Sequence, residues 1–281
     1  MAKPIESARL AWRRDLNDTL ALFRFELEHG VPDYLPGQFI TLGLPDPENP
    51  AKIPWRAYSI ASPPSRKEYL ELYIRRPMSP VPGKFTSLLW DLPIGGTLQH
   101  RGITGPFTIE AQHPDGTPDL RTLLCVGGGT GIAPFIAYAL ELQRHDVPRE
   151  LILVHGASYV HELGYDEILR GIEGETRDRG PGRFRLRYVP TISRPGAPEN
   201  AGWKGETGRA EQYLVPQPGE SQSRLERDLR VDLAPERVFG FACGYEGTCK
   251  ATTEVLESRG FVTRRNRRAD GSFDFKIESY G

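Results

Sequence analysis

The first third of the chain alternates apolar and polar residues. Leu20–Glu28 (LALFRFELE) does so at a period of two, and Phe39–Leu44, Tyr58–Ile60 and Tyr69–Arg75 follow at short spacing. Leu35-Pro36-Gly37 and Pro45–Pro50 punctuate these runs. A period of two lays apolar side chains on one face of a strand, so several short runs between turn residues predict an antiparallel β-barrel. A short helix is expected at Thr86–Leu92. The texture changes after Ala111–Asp119 (AQHPDGTPD), a polar Pro/Gly stretch that reads as a linker. Beyond it, apolar strands at Arg121–Val126, Glu150–His155, Phe184–Thr191 and Val238–Cys243 alternate with helical stretches at Ala133–Gln143, Glu162–Arg170 and Thr248–Ser258. That rhythm predicts a parallel sheet with helices on both faces. Arg194–Gly208 and Val215–Pro235 read as loops, the second carrying a helix at Ser223–Leu229. The expected fold is therefore two-domain: an antiparallel β-barrel over residues 1–112 and an α/β parallel-sheet domain over residues 120–281.

Composition fits two domains and narrows the chemistry. The 281 residues suffice for two domains at roughly 150 residues each. With 36 basic and 37 acidic side chains the formal net charge is −1, so no global field favours nucleic acid or a membrane surface. Three cysteines, Cys125, Cys243 and Cys249, form no CxxC pair. They exclude a disulfide framework and a four-cysteine zinc or iron–sulfur site, and no metal site is expected. Met1–Trp12 lacks the apolar core of a signal peptide, and no uncharged apolar run approaches about 18 residues. A cytoplasmic protein is expected.

Two clusters carry candidate chemistry. Gly127-Gly128-Gly129-Thr130-Gly131-Ile132-Ala133-Pro134 directly follows a predicted strand. Glycines there let the backbone turn tightly and approach a phosphate, whose charge the following helix N-terminus favours. Pro134 suits the first helical turn, where its missing N–H costs nothing. The run is neither GxGxxG nor a P-loop. The strand ending at His155 offers no Asp or Glu to grip a ribose. Arg56-Ala57-Tyr58-Ser59 combines a cation, a ring and a hydroxyl, with Arg56 and Tyr58 on one side of a strand. Such a set can pair a phosphate and stack a flat ring. Taken alone, it also describes an ordinary strand with a surface arginine.

Six motifs in order, from residue 36 to the C-terminus, resemble those of the ferredoxin–NADP reductase family. Pro36-Gly37-Gln38-Phe39 is similar to its upstream barrel motif, and Arg56–Ser62 to its flavin motif. Gly83-Lys84-Phe85-Thr86 resembles its pyrophosphate cradle, and Gly129–Pro134 its nucleotide loop. Ala242-Cys243-Gly244 resembles the strand end beside the nicotinamide, and Glu278-Ser279-Tyr280 the terminal Glu-x-Tyr. The resemblance implies an FAD cofactor held by Arg56, Ala57, Tyr58, Ser59, Tyr73, Ile74, Arg75, Gly83, Lys84, Phe85, Thr86, Thr130 and Tyr280. Arg56 would hold the pyrophosphate with the backbone of Gly83–Thr86, and Tyr58 and Tyr280 would cover the two flavin faces. It implies an NADP(H) site at Gly129, Thr130, Gly131, Ser193, Arg194, Arg209, Cys243 and Gly244. Ser59, Cys243, Glu278 and Tyr280 would line the hydride-transfer site. Ser193-Arg194 and Gly208-Arg209 resemble the family's 2′-phosphate site, although each is also an ordinary surface arginine. Where many bacterial relatives carry Arg, this chain has Ser158, and Gly281 follows the terminal tyrosine.

The activity so implied is exchange of electrons between NADPH and a one-electron carrier such as ferredoxin or flavodoxin. The alternative is an NAD(P)H-dependent flavin reductase component feeding an oxygenase or another acceptor. A flavin-binding module without turnover is a third possibility of a different class. Arg259–Arg268 (RGFVTRRNRR) holds five arginines in ten residues. It is either a solvated loop or a docking patch for an acidic carrier near Arg264, Arg265, Arg267 and Arg268.

Overall fold

The computed structural model describes residues 4–49, 51–78, 83–180 and 182–280. Pro50, at the end of an expected turn, and Gly281, after the terminal tyrosine, lie outside them. The backbone divides into two compact units, Met1–Thr108 with Ile136–Glu141, and Ile109–Phe135 with Leu142–Gly281.

The first unit holds strands β1 (Glu6–Asn17), β2 (Leu20–Leu27), β3 (Phe39–Gly43), β4 (Trp55–Ser59) and β5 (Leu70–Arg75), helix α1 (Lys84–Asp91) and strand β6 (Thr97–Thr104). They form an antiparallel sheet in the order β4-β3-β6-β1-β2-β5. An antiparallel bridge from Ile60, just past β4, to Leu72 of β5 closes its two edges. Leu10, Phe23, Phe25, Ile40, Leu42, Leu70 and Leu72 fill the interior, with Phe85 and Leu89 of α1 buried in the same core. Strands β1 and β6 escape a search for alternation. In β1 only Ala8 and Leu10 are buried, and the register shifts between Leu10 and Trp12. In β6 one of the two buried positions is His100, so the strand reads as polar.

In the second unit β7 (Thr122–Gly128), α2 (Ala133–Arg144), β8 (Glu150–Ala157), α3 (Asp166–Thr176), β9 (Arg185–Ile192), β10 (Glu206–Thr207), α4 (Arg224–Leu229), β11 (Val238–Gly244), α5 (Glu246–Ser258) and β12 (Phe275–Ser279) follow in turn. The strands make a parallel sheet in the order β10-β9-β8-β7-β11-β12. Its central strands are near-continuous apolar runs, as a sheet buried on both faces requires. Helix α4 forms where expected because Ser223 and Glu226 exchange side-chain bonds to each other's N–H, closing a capping box. Helix α3 starts four residues later than expected. Glu162 is buried, and its carboxylate accepts the Ser158 N–H at 3.1 Å, which holds residues 160–162 as a separate short turn. Strand β12 was not expected, because five residues at a sheet edge carry little periodicity.

The expected linker is itself tied down. Its ends pair through Gln112 and Pro118, and His113 N–H donates to the Thr117 carbonyl at 2.8 Å. The buried Arg149 guanidinium donates to the carbonyls of Glu110 (2.8 Å) and Arg121 (2.7 Å), on either side of the stretch. Arg121 in turn bonds Asp119 at 2.7 Å and Asp274 at 2.9 Å.

His155 is fully buried in β8, with Nδ1 3.0 Å from the Tyr188 hydroxyl. Burial pushes its pKa down to about 3, against an opposing hydrogen bond to the Gly129 backbone. Between pH 6.5, its ordinary value, and pH 3 the unfolded chain takes up a proton that the folded chain refuses. Stability must therefore fall as pH drops through that window, by up to about 1.4 kcal/mol per pH unit from this group. Urea denaturation of wild type and His155→Gln at pH 7, 6 and 5 measures it. The variant is expected to show the shallower loss; parallel losses would mean that His155 is protonated in the fold.

Candidate functional site

The glycine run after β7 is seated directly on the end of β11. Gly129–Ile132 forms a single tight turn leading into α2, with Gly129 at φ +56°. A Cβ on Gly131 would lie 2.1 Å from the Cys243 carbonyl oxygen, and one on Gly244 would lie 3.1 Å from the Gly128 carbonyl oxygen. Backbone thus meets backbone, with no side chain between. In the sheet, Cys243 lies level with Gly127 on one side and Glu278 on the other. Tyr280 N–H donates to the Gly244 carbonyl at 3.1 Å, and its hydroxyl lies 3.1 Å from Thr130 Oγ1. Gly129, Thr130, Gly131, Cys243, Gly244, Glu278 and Tyr280 therefore form one cluster at the ends of β7, β11 and β12.

Burial keeps the thiol and the phenol of this cluster neutral. Burial raises the Cys243 thiol well above its ordinary value, and the Glu278 charge adds to the effect. Burial also lifts the half-buried Tyr280 phenol. Both stay protonated near neutral pH. Cys249 of α5, which carries no motif of its own, also joins this cluster. Its thiol points to the carbonyls of Gly244 (3.7 Å) and Glu278 (3.5 Å), and burial pushes it up to about 11.

The two arginines expected near a 2′-phosphate take different partners. Arg209 Nε pairs with the buried Glu211 at 2.6 Å, and Nη2 reaches Thr248 Oγ1 at 3.4 Å. Arg194 donates to the Tyr159 hydroxyl at 2.5 Å and is exposed, with no ion pair among the described residues. Ser193 N–H donates to the Ala157 carbonyl, so its backbone continues the β8–β9 pairing.

The first unit carries the second cluster. Tyr58 and Arg56, two apart on β4, pair with Ile40 and Leu42 of β3, while Ser59 pairs with Phe39. The Tyr58 hydroxyl lies 3.2 Å from Thr86 Oγ1, so the Arg56–Ser59 and Gly83–Thr86 motifs touch. Burial pushes Tyr58 up to about 12, against the Thr86 hydrogen bond and the Arg56 charge. Gly83 is an extended N-cap, and among the described residues no side chain caps the first N–H groups of α1, the kind of helix end that can receive an anion. Arg56, in β4, is exposed, and its guanidinium donates to the Trp55 carbonyl at 3.2 Å. A cation, a ring and free helix N–H groups are the donor set that a diphosphate with a flat ring needs. The ammonium of Lys84 pairs with the buried Asp46, with Glu48 at 3.7 Å. Phe85 and Ile74 put their side chains into the barrel core, whereas Tyr73 and Arg75 lie off that core cluster.

Residues 7–109 match the oxidoreductase FAD-binding domain, and residues 125–252 the oxidoreductase NAD-binding domain. A ferredoxin–NADP reductase of Pseudomonas aeruginosa is 33% identical over 248 residues, covering 87% of this chain and 86% of that protein. The chain belongs to the ferredoxin–NADP reductase family. A crystal structure of the Neisseria gonorrhoeae ferredoxin NADP+ reductase, with bound FAD and NADP, has the same fold: TM-score 0.74, 22% identity, 98% of each chain covered. Reductase component 1 of terephthalate 1,2-dioxygenase from Comamonas is 36% identical over 122 residues, 43% of this chain and 32% of that protein. The chain thus spans about a third of that relative's length.

Within the family's nucleotide domain, the close approach at Gly131 leaves no room for a methyl group. Gly131→Ala is expected to destabilise the protein by about 1–3 kcal/mol, as overpacking does. Gly174→Ala, in helix α3, adds a methyl that meets nothing within 4 Å, and should stabilise by up to about 1 kcal/mol. Urea denaturation of both variants checks this; equal midpoints would show that the turn yields freely.

Proposed function

We propose that the chain is an FAD-dependent reductase exchanging electrons between NADPH and a one-electron carrier such as a ferredoxin or flavodoxin. The observation that carries this proposal is the meeting of the glycine turn, the end of β11 and Tyr280 through bare backbone and one hydroxyl pair. A bound FAD would supply the redox chemistry that links two-electron and one-electron transfer. The protein's residues bind and orient. Arg56 and the free N–H groups of α1 hold the diphosphate, and Tyr58, fixed by Thr86, offers its ring face. Ser59 supplies a hydroxyl at the end of β4. In the second unit the Gly129–Gly131 turn takes the nucleotide phosphates, and Arg194 takes the 2′-phosphate. Cys243 fills the strand end as a neutral thiol and exposes no competing nucleophile. Tyr280 presents a neutral ring that a nicotinamide can replace, and Glu278 supplies the acid beside it.

Acid extraction of purified protein is expected to release FAD, and NADPH to bleach the visible band at lower concentration than NADH. FMN, or no flavin after reconstitution, would overturn the assignment. The match to a dioxygenase reductase component supports an oxygenase system as an alternative acceptor. Three cysteines within this chain cannot bind a four-cysteine iron–sulfur cluster. No described helix is long and apolar enough to cross a membrane. Three buried free cysteines agree with a reducing, cytoplasmic setting.

The arginine loop supports docking of an acidic carrier, on fewer residues than its composition suggests. Arg259 is held by Glu226 at 2.9 Å, and Arg268 by Asp274 at 2.6 Å. Arg264, Arg265 and Arg267 are exposed and form no ion pair among the described residues. Steering by such charges raises encounter rates and is screened by salt. Replacing these three with Ala is expected to raise KM for an acidic carrier on the order of 10-fold at low ionic strength. Reduction of ferricyanide by NADPH should not change. Equal carrier KM values at low salt would place docking elsewhere.

A further inference from the structure

Strands β8 and β9 end side by side, with Ala157 level with Ile192. The chain leaves them as two segments, residues 158–162 and 193–200, and one buried side chain holds both. Asn200 is 2% exposed. Its Nδ2 donates to the carbonyls of Ser158 (3.0 Å) and Arg194 (2.7 Å), while Oδ1 accepts the Val160 N–H at 2.8 Å. A single amide thereby uses both donors and one acceptor to lock two loops together.

On this frame sits a cluster built around the Tyr159 ring. The Arg194 guanidinium carbon lies 5.3 Å from the ring centre, and Arg194 donates to the hydroxyl at 2.5 Å. The His161 ring is stacked on Tyr159, with centres 5.4 Å apart and planes 5° from parallel. Arg194 and His161 are both exposed. Neither forms an ion pair with a carboxylate among the described residues. Glu162, next to His161, is buried and turned onto the Ser158 N–H, and the exposed Glu199, five residues from Arg194, makes no ion pair with either side chain. The cluster thus presents a guanidinium, an imidazole and a phenol hydroxyl with no carboxylate paired to them among the described residues. That donor set suits a phosphate monoester dianion. Arg209, by contrast, is already paired with Glu211. Ser158, at the end of β8, adds no charge.

We propose that His161 and Tyr159, positioned by Asn200, act with Arg194 to set the preference for NADPH over NADH, with His161 supplying a second donor to the 2′-phosphate. This rests on the NADPH assignment above. Asn200 is a positioning residue, acting through the two segments it joins. Tyr159 orients Arg194 through its hydroxyl and His161 through its ring face.

Titration calorimetry with adenosine 2′,5′-bisphosphate and adenosine 5′-monophosphate tests this without turnover. Wild type is expected to bind the bisphosphate the more tightly. His161→Ala and Tyr159→Phe should each weaken bisphosphate binding several-fold, on the order of 3- to 10-fold, and Arg194→Ala by at least about 10-fold. All three should leave the monophosphate within about twofold. Asn200→Asp keeps the acceptor but loses both donations, and should weaken the bisphosphate selectively. His161→Lys, which restores an N–H donor, should recover most of the loss. An unchanged bisphosphate-to-monophosphate ratio in His161→Ala and Tyr159→Phe would overturn the proposal. So would equal losses with both ligands, which would mean the rings only support the loop. A wild type that prefers neither ligand would instead overturn the NADPH assignment itself.

Discussion

The contact on which the nucleotide half of this protein depends is backbone against backbone: Gly131 on the Cys243 carbonyl, and Gly244 on Gly128. No other residue type fits at that spacing, because a Cβ at Gly131 would sit inside the van der Waals radius of a carbonyl oxygen. The absence of side chains lets the turn close directly ahead of α2. It also sets the position of the C-terminus. Strand β12 pairs with β11, so Tyr280 reaches Thr130 only because Gly244 and the glycine turn lie in contact.

Charge in the second unit is largely spent on architecture. Arg149, Arg121 and Arg268 converge on Asp119, Asp274 and the carbonyls flanking residues 111–119. A buried guanidinium is costly unless paired, and these groups are paired because the two stretches they join must stay together. Arg259 does the same for α4 through Glu226. Arg144, Arg177, Arg185, Arg230 and Arg237 are also exposed and make no ion pair among the described residues, so the four arginines on the two candidate surfaces are marked by their place and not by lacking a carboxylate. Arg194, Arg264, Arg265 and Arg267 face solvent, where an anionic ligand or an acidic partner can meet them.

The first unit solves a different problem, which is to present a ring, a cation and a helix N-terminus from a barrel whose interior is apolar. Strand alternation turns Tyr58 and Arg56 to the same side, and the Tyr58–Thr86 hydroxyl pair ties β4 to α1. Phe85 anchors the same helix in the core one residue earlier. Neighbouring residues thus divide between holding the helix, as Phe85 does, and tying it to β4, as Thr86 does.

Local pattern alone determined the apolar strands β2, β7, β8 and β11, the capping box at Ser223, and the glycine turn with Pro134 behind it. Each depends on interactions within a few residues, so each is written in consecutive letters. What tertiary structure decided depends on distant partners. Strands β1, β6 and β12 exist because neighbours pair with them, not because their own residues alternate. The late start of α3 follows from Glu162 capping Ser158. Which arginines are free was settled by carboxylates up to 153 residues away along the chain, as Arg121 and Asp274 are. Composition counts charges but cannot say which are already answered. The Tyr159–His161–Arg194 cluster was illegible for the same reason: Asn200, 40 residues from Val160, brings its two segments together. Hydrophobic periodicity and turn chemistry are local, whereas hydrogen-bond satisfaction of buried polar groups is a property of the closed fold.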